Sequence, residues 1–244
     1  MTLLAVEELD VRHGLLQAVR GVSFGVDEGQ TLALVGANGA GKTTLLRSIA
    51  GAHRPAGGRV LYRGQDVTTV SAHRRVAMGI ALVPEGRRLF PGLTLAENLQ
   101  VGAVPSRPGR WNVDSVLEAF PMLKPLRARR AASLSGGEQQ AAAIGRALMS
   151  NPGLLLLDEV SLGLSPIARD DVYRSLEAAT AEGVTVILVE QDLDRALNVA
   201  DRVLCMLEGR MVLEEAADPS ARQRITEAYF GLRGPAQGEP TWTG

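Results

Sequence analysis

A single cysteine, two lysines and the lack of any long apolar run set the first limits on this 244-residue chain. Cys205 on its own excludes an internal disulfide, so a reducing compartment is the expected setting. It lies in the apolar run Val203 to Leu207, which places it as an unreactive core residue. No apolar stretch approaches the roughly 18 residues that a membrane helix needs, and the first residues lack a basic start followed by a hydrophobic run. The expectation is a cytoplasmic chain that crosses no membrane by itself. Aromatic residues make up only 4%, the formal net charge is −1 and no long block of one sign occurs, so electrostatics gives no case for nucleic acid as a partner. The cluster Arg127-Ala128-Arg129-Arg130 reads accordingly as solvated surface.

What is present is a 45% hydrophobic chain, long enough to bury one large domain or a domain with a subdomain. Short, nearly continuous apolar runs at 31–35, 80–83, 154–157, 184–189 and 203–207 predict strands buried on both faces of a mostly parallel sheet, and helical stretches between most of them make the class α/β. Alternating segments around Leu3 to Val11, Val22 to Val26 and Arg59 to Arg63 predict an antiparallel layer beside it. Between Val83 and Leu154 the pattern changes to short amphipathic helices with a capping box at Thr94 to Glu97, which predicts a helical subdomain. There, Leu89-Phe90-Pro91 reads as local core in preference to a docking surface. Ser165-Pro166 predicts an N-cap with proline in the first turn, and Gly183 the end of that helix. Gly234 to Pro240 predicts a disordered tail.

The densest chemistry is Gly36-Ala37-Asn38-Gly39-Ala40-Gly41-Lys42-Thr43, spaced G-x-x-x-x-G-K-T between an apolar run and a helical one. Glycines let successive N–H groups converge on an anion, and the helix starting near Lys42 adds the positive end of its dipole. Lys42 is placed to reach β- and γ-phosphates and the Thr43 hydroxyl to ligate magnesium. Of the 26 basic residues only Lys42 and Lys124 are lysine, so the chain uses a compact ammonium where crowded phosphate oxygens would not admit a planar guanidinium.

Two further motifs belong with it. Leu154-Leu155-Leu156-Leu157-Asp158-Glu159 ends a buried strand in adjacent carboxylates, where an open parallel sheet presents its ligand groups. Asp158 suits magnesium, and Glu159 suits polarising a water aimed at a γ-phosphate. Upstream, Leu134-Ser135-Gly136-Gly137-Glu138-Gln139-Gln140 caps a helix expected to run to about Met149. Its glycine pair costs roughly 1 kcal/mol per residue against alanine, a cost that leaves the helix tip bare for a second phosphate contact.

Taken in this order and spacing, the three motifs resemble an ATP-binding cassette (ABC) subunit over residues 1–230, a phosphate-loop NTPase fold with a helical subdomain at about 86–150 and a tail at 231–244. The resemblance implies ATP and magnesium as ligands and a second cassette paired head to tail, so that Ser135, Gly136, Gly137 and Glu138 of one copy face the phosphate loop, Gly36 to Thr44, of the other. Within the family, Val83-Pro84-Glu85-Gly86-Arg87-Arg88-Leu89-Phe90-Pro91, Ser161-Leu162-Gly163-Leu164 and Val189-Glu190-Gln191 resemble the second ATP-binding subunit of branched-chain amino acid importers. That implies separate membrane permease subunits, indirectly a solute-binding protein, and a place on the cytoplasmic face of the inner membrane.

Some positions depart from the general cassette pattern. Glu85 stands where glutamine is usual and keeps an oxygen for magnesium while adding negative charge. Gln191 stands where histidine is usual; it can donate to a γ-phosphate but carries no imidazolium charge. Slow hydrolysis at this phosphate loop is therefore expected. His13 falls where an aromatic normally stacks on adenine, a role it shares with the reading of a plain surface histidine. His53 and His73 have no metal-ligand spacing and receive no role. Val160 replaces an expected proline and is expected to loosen the following turn. Two other classes stay open: a nucleotide-binding scaffold with little turnover, and a soluble ABC ATPase not coupled to transport. The transported solute is not legible.

Overall fold

The run Leu154 to Leu157 shows how the central sheet is built. Leu155 and Leu157 pack into one core cluster while Leu154 and Leu156 pack into another on the opposite face, so a strand with no polar alternation is the only kind that fits. The computed structural model describes residues 1–104 and 107–232. Its six-stranded sheet runs in the order β10 (Arg210–Ala216), β9 (Arg202–Leu207), β3 (Thr31–Val35), β8 (Thr185–Val189), β7 (Leu154–Asp158), β6 (Ile80–Val83), and only the β10–β9 pair is antiparallel. The second sheet is antiparallel, ordered β2 (Leu16–Asp27), β1 (Thr2–His13), β4 (Gly57–Tyr62), β5 (Gln65–Asp66). It covers α1 (Lys42–Ile49) and one face of the parallel sheet through a core that includes Leu4, Val60, Leu45, Leu46 and Ile49.

All the expected parallel strands are present. The edge strand β10 is an addition, since its half-buried, charge-bearing sequence carries no continuous apolar run. Helix α2 (Ala72–Met78) closes the first half of the chain. Its Arg75 is 1% exposed and ends α1 and the loop before α2 by donating to the carbonyls of Ser48 at 2.8 Å, Ile49 at 2.6 Å, Thr68 at 2.9 Å and Val70 at 2.9 Å. Burial lowers this guanidinium to about 10, and the carbonyls at the helix end supply the negative pole that keeps a buried cation tolerable.

The predicted helical region contains α3 (Leu95–Val101), α4 (Val113–Ala119) and α5 (Gly136–Leu148), joined by 3-10 turns. Both predicted capping boxes form: Thr94 with Glu97 opens α3 and Ser135 with Glu138 opens α5. Ser165 caps α6 (Pro166–Ala181), with Pro166 in its first turn. Helices α7 (Leu193–Val199) and α8 (Arg222–Tyr229) complete the far face. Arg127 to Arg130 are exposed as expected, and Cys205 is fully buried, which pushes its thiol up to about 11.

Two expectations need correction. Leu89 packs partly against the core, but Phe90 is 49% exposed and Pro91 is exposed, so this turn presents an apolar surface. Val160 does not leave a loose turn: it is 2% exposed and anchored in the main core. Of the expected tail, 233–244 lie outside the described residues.

Candidate functional site

Four strand ends converge at one edge of the sheet, because neighbouring parallel strands deliver their C-terminal ends to the same side. β3 leads into the loop Gly36 to Gly41, β7 into Asp158 and Glu159, β8 into Glu190 and Gln191, and β6 into Pro84 and Glu85. The loop lies tight against its neighbours. A Cβ on Gly36, at φ 147°, would fall 2.2 Å from the Met206 carbonyl oxygen, and one on Gly41, at φ 101°, would fall 2.3 Å from that of Ala18. Only glycine fits at either position. The Ala40 carbonyl accepts from the Gly209 amide at 3.0 Å, which fastens the loop to the β9–β10 turn. Helix α1 starts directly after Gly41 with no side-chain cap, leaving its first N–H groups for another acceptor.

Lys42 is 4% exposed and its ammonium donates to the carbonyls of Gly36 at 2.7 Å and Ala37 at 3.0 Å. Burial pulls its pKa below that of an ordinary lysine, and the charges of Glu159 and Asp158 pull the other way. The Thr43 hydroxyl donates to Asp158 Oδ1 at 2.8 Å. Asp158 is fully buried, and its Oδ2 has no hydrogen-bond partner. Burial pushes its carboxyl above the usual range; the Thr43 hydrogen bond and Arg47 lower it, while Glu159 and Glu85 raise it further. Glu159 and Glu85 thus act on Asp158, with Lys42 and Arg47 as the nearby cations, and a buried carboxylate oxygen is unused beside a threonine hydroxyl. Such a hard oxygen set suits a divalent cation. Glu159 itself sits in the left-handed region at φ 50°, a strain compatible with holding one orientation.

His13 Nε2 lies 3.1 Å from the Thr44 hydroxyl, which puts its ring beside the phosphate loop. His53, given no role from sequence, sits 4.5 Å from it, ring centre to ring centre. Gln191 and Glu85 are exposed. Ser135, Gly137 and Glu138 line a separate concavity with Ser165, Ile167 and Ala168, and among the described residues no hydrogen bond joins that helix tip to the phosphate loop. Gly137 also has a packing reason that sequence did not reveal: a Cβ there would stand 2.5 Å from that of Ala168, whereas at Gly136 it would meet only the movable Arg87 guanidinium at 3.1 Å.

Sequence reasoning also missed Glu190, a carboxylate 2% exposed that directly follows the apolar run of β8. The signal was the one that picked out Asp158, an acid at the end of a buried strand.

A family model described as ABC transporter matches residues 19–161, and the chain belongs to that family. It is an ATP-binding cassette with ATPase chemistry. The relatives it resembles include the high-affinity branched-chain amino acid transport ATP-binding protein BraG of Pseudomonas aeruginosa, 43% identical over 94% of this chain and 100% of that one. A probable branched-chain amino acid transport ATP-binding protein LivF of Archaeoglobus fulgidus is 33% identical over 88% and 93%. Among solved structures, a nucleotide-free ATP-binding cassette from an ABC transporter matches with a TM-score of 0.83 at 27% identity, covering 94% of this chain and 99% of that one. A cassette in its ADP conformation matches at 0.80 and 28%, covering 95% and 99%.

Proposed function

We propose that this chain is the ATP-hydrolysing subunit of an importer for branched-chain amino acids or a related small solute, acting on the cytoplasmic face of the inner membrane. The observation that carries the ATP-hydrolysing part is the Thr43–Asp158 pair with its unused Oδ2 at the mouth of the phosphate loop, and the solute rests on the likeness to the two branched-chain amino acid transport proteins. The amides of Gly36, Ala37, Asn38, Gly39, Ala40 and Gly41 cradle the phosphates, with Lys42 exchanging its bonds to the Gly36 and Ala37 carbonyls for phosphate oxygens. Thr43, Asp158 and Glu85 would hold magnesium, which would supply positive charge against the phosphate oxygens. Thr44 closes the cradle and His13 stacks on adenine. Glu159 orients and polarises the attacking water, and Gln191 donates to the γ-phosphate.

A second cassette completes the site head to tail, offering Ser135, Gly136, Gly137 and Glu138 at the tip of its α5. Residues 1–230 form the cassette, with 86–150 as its helical part. Permease subunits dock in the groove of about 280 Å³ lined by Phe90, Val101, Val104 and Arg146, where apolar side chains are exposed together. The segment after Glu85 is tied to α5 there: Arg146 donates to the Arg88 carbonyl at 2.8 Å and Arg87 to the Gln139 side chain at 3.2 Å. Closure on ATP is passed through this tie.

Gln191 favours a second reading, a nucleotide-binding scaffold whose partner cassette supplies most turnover. Substituting Glu159→Gln in the complex with its membrane subunits separates them. Trapped ATP-bound dimers with turnover lost support the hydrolase; unchanged turnover supports the scaffold.

A further inference from the structure

Glu190 poses a physical problem. It is a carboxylate at 2% exposure, and among the described residues no arginine or lysine forms an ion pair with it. A buried charge without a cation survives only when hydrogen bonds replace its water. Here donors surround it. Tyr173 donates its hydroxyl from α6 and Gln191 its backbone amide, and the Ser161 hydroxyl, from the turn after Glu159, and the Asp192 amide stand close enough to favour the charged carboxylate. A carboxylate has about four acceptor positions, enough for all of these donors. Burial nevertheless pushes its carboxyl above the ordinary range, so the arrangement is costly to keep.

The position of those donors points to a reason. Ser161 lies two residues beyond Glu159, and Gln191 follows Glu190 directly, so both chain segments that carry the proposed catalytic pair hang on one side chain. Glu159, Ser161, Glu190 and Gln191 together line a cavity of about 180 Å³, with Arg169 and Asp192 at its side. The donor from α6 is itself held: the Arg195 guanidinium lies 4.9 Å from the Tyr173 ring centre and donates to Asp170 at 3.1 Å.

We infer that Glu190 is a positioning residue for ATP hydrolysis, a four-acceptor hub that fixes the turn after Glu159 against the strand end carrying Gln191. The inference rests on the hydrolase reading above and adds a residue to it. An amide replaces it poorly. Glu190→Gln keeps size and shape but has one acceptor oxygen in place of two, so its NH₂ faces either a backbone N–H that only donates or a hydroxyl that must turn round to accept, which weakens the common anchor of the two segments while the phosphate loop is untouched.

The test uses the full chain in the complex with its membrane subunits. Glu190→Gln is expected to lower kcat roughly 10- to 100-fold, the scale of an ångström's misplacement, while KM for ATP and ATP affinity in a Glu159→Gln background move less than about threefold. Tyr173→Phe removes one donor and leaves no misplaced NH₂, so a smaller fall is expected, and the double variant should lose less than the product of the two. Should Glu190→Gln fail to fold, Ser161→Ala and Tyr173→Phe carry the same comparison of kcat against KM. Unchanged kcat, or kcat and affinity falling together, overturns the inference. If Glu159→Gln itself leaves turnover intact, the hydrolase reading fails instead, and the two failures are distinguishable.

Discussion

The glycine pair at the tip of α5 allows function and packing to be separated by two single substitutions. At Gly136, a methyl group meets only the end of the Arg87 side chain at 3.1 Å, which need give only a few tenths of an ångström and can keep its bond to Gln139, and alanine gains at most about 1 kcal/mol of helix propensity. Gly136→Ala should therefore leave Tm unchanged or raise it by up to roughly 2–4 °C, the shift that 1 kcal/mol produces in a chain this long. At Gly137, the methyl would stand 2.5 Å from the Ala168 Cβ. That is more than ~1 Å inside ordinary carbon contact, so α5 or α6 must move. Overpacking costs about 1–3 kcal/mol, propensity returns about 1, and the net loss of about 0–2 kcal/mol lowers Tm by up to roughly 4–8 °C. In the proposed head-to-tail site both variants put a methyl beside the amides that would face the triphosphate, and losing one such contact would cost at least about tenfold in turnover. The assay is thermal unfolding of each purified variant, paired with ATPase activity in the assembled complex. Stability and activity diverge at 136 and fall together at 137. An equal loss of Tm at both sites, or full turnover in Gly136→Ala, refutes the reasoning.

Gln191→His restores a side chain that can carry charge to the γ-phosphate; a charge-assisted bond exceeds a neutral one by about 1 kcal/mol, so ATPase activity should rise about fivefold, and an unchanged rate in a correctly assembled complex counts against a role for this position. Burial raises the Cys205 thiol from 9.0 to about 11, so the native state keeps a proton that the unfolded chain sheds, and stability falls as pH rises through that window. The fall amounts to about 3 kcal/mol for two pK units; because Arg75, lowered to about 10, titrates in the same window with the opposite sign, it is the difference in the pH-dependent change, measured by urea unfolding, between the parent and Cys205→Ala that should equal this amount. Arg75→Lys keeps the charge but cannot span the carbonyls of Ser48, Ile49, Thr68 and Val70. The carbonyls left unpaired should cost roughly 2–5 kcal/mol in urea unfolding, and a loss under about 1 kcal/mol would show that lysine suffices.

What was legible in the sequence is what short-range spacing encodes. The loop from Gly36 to Thr43, the capping boxes at Thr94 and Ser135 and the acids ending the leucine run are set by neighbours within a few residues, and the structure forms the turns, caps and strand ends expected of them. The unbroken apolar runs fixed the parallel strands, because burial on both faces removes polar alternation. Other features depend on distant partners. Phe90 has the composition of core, but its neighbour Asn98 takes the Phe90 amide and carbonyl, and the ring is left outside under the Arg146 guanidinium. His53 meets His13 only because β1 ends beside the loop after α1. The steric need for Gly137 belongs to Ala168 on another helix, and the worth of Glu190 to donors on three elements.

These long-range ties also bear on how a nucleotide would be admitted. The side-chain donors Lys42 and Thr43 at the phosphate loop already have partners in their own chain: Lys42 has two carbonyls and Thr43 has Asp158. Ligand entry then exchanges one set of hydrogen bonds for another, and no bare cation has to be stripped of water first. Charge at this edge is mixed. Lys42 and Arg47 stand among Asp158, Glu159 and Glu85, and the carboxylates oppose an incoming triphosphate. On the proposed reading, a divalent cation at the unused Asp158 Oδ2 would offset those carboxylates, so metal and nucleotide would each favour binding of the other.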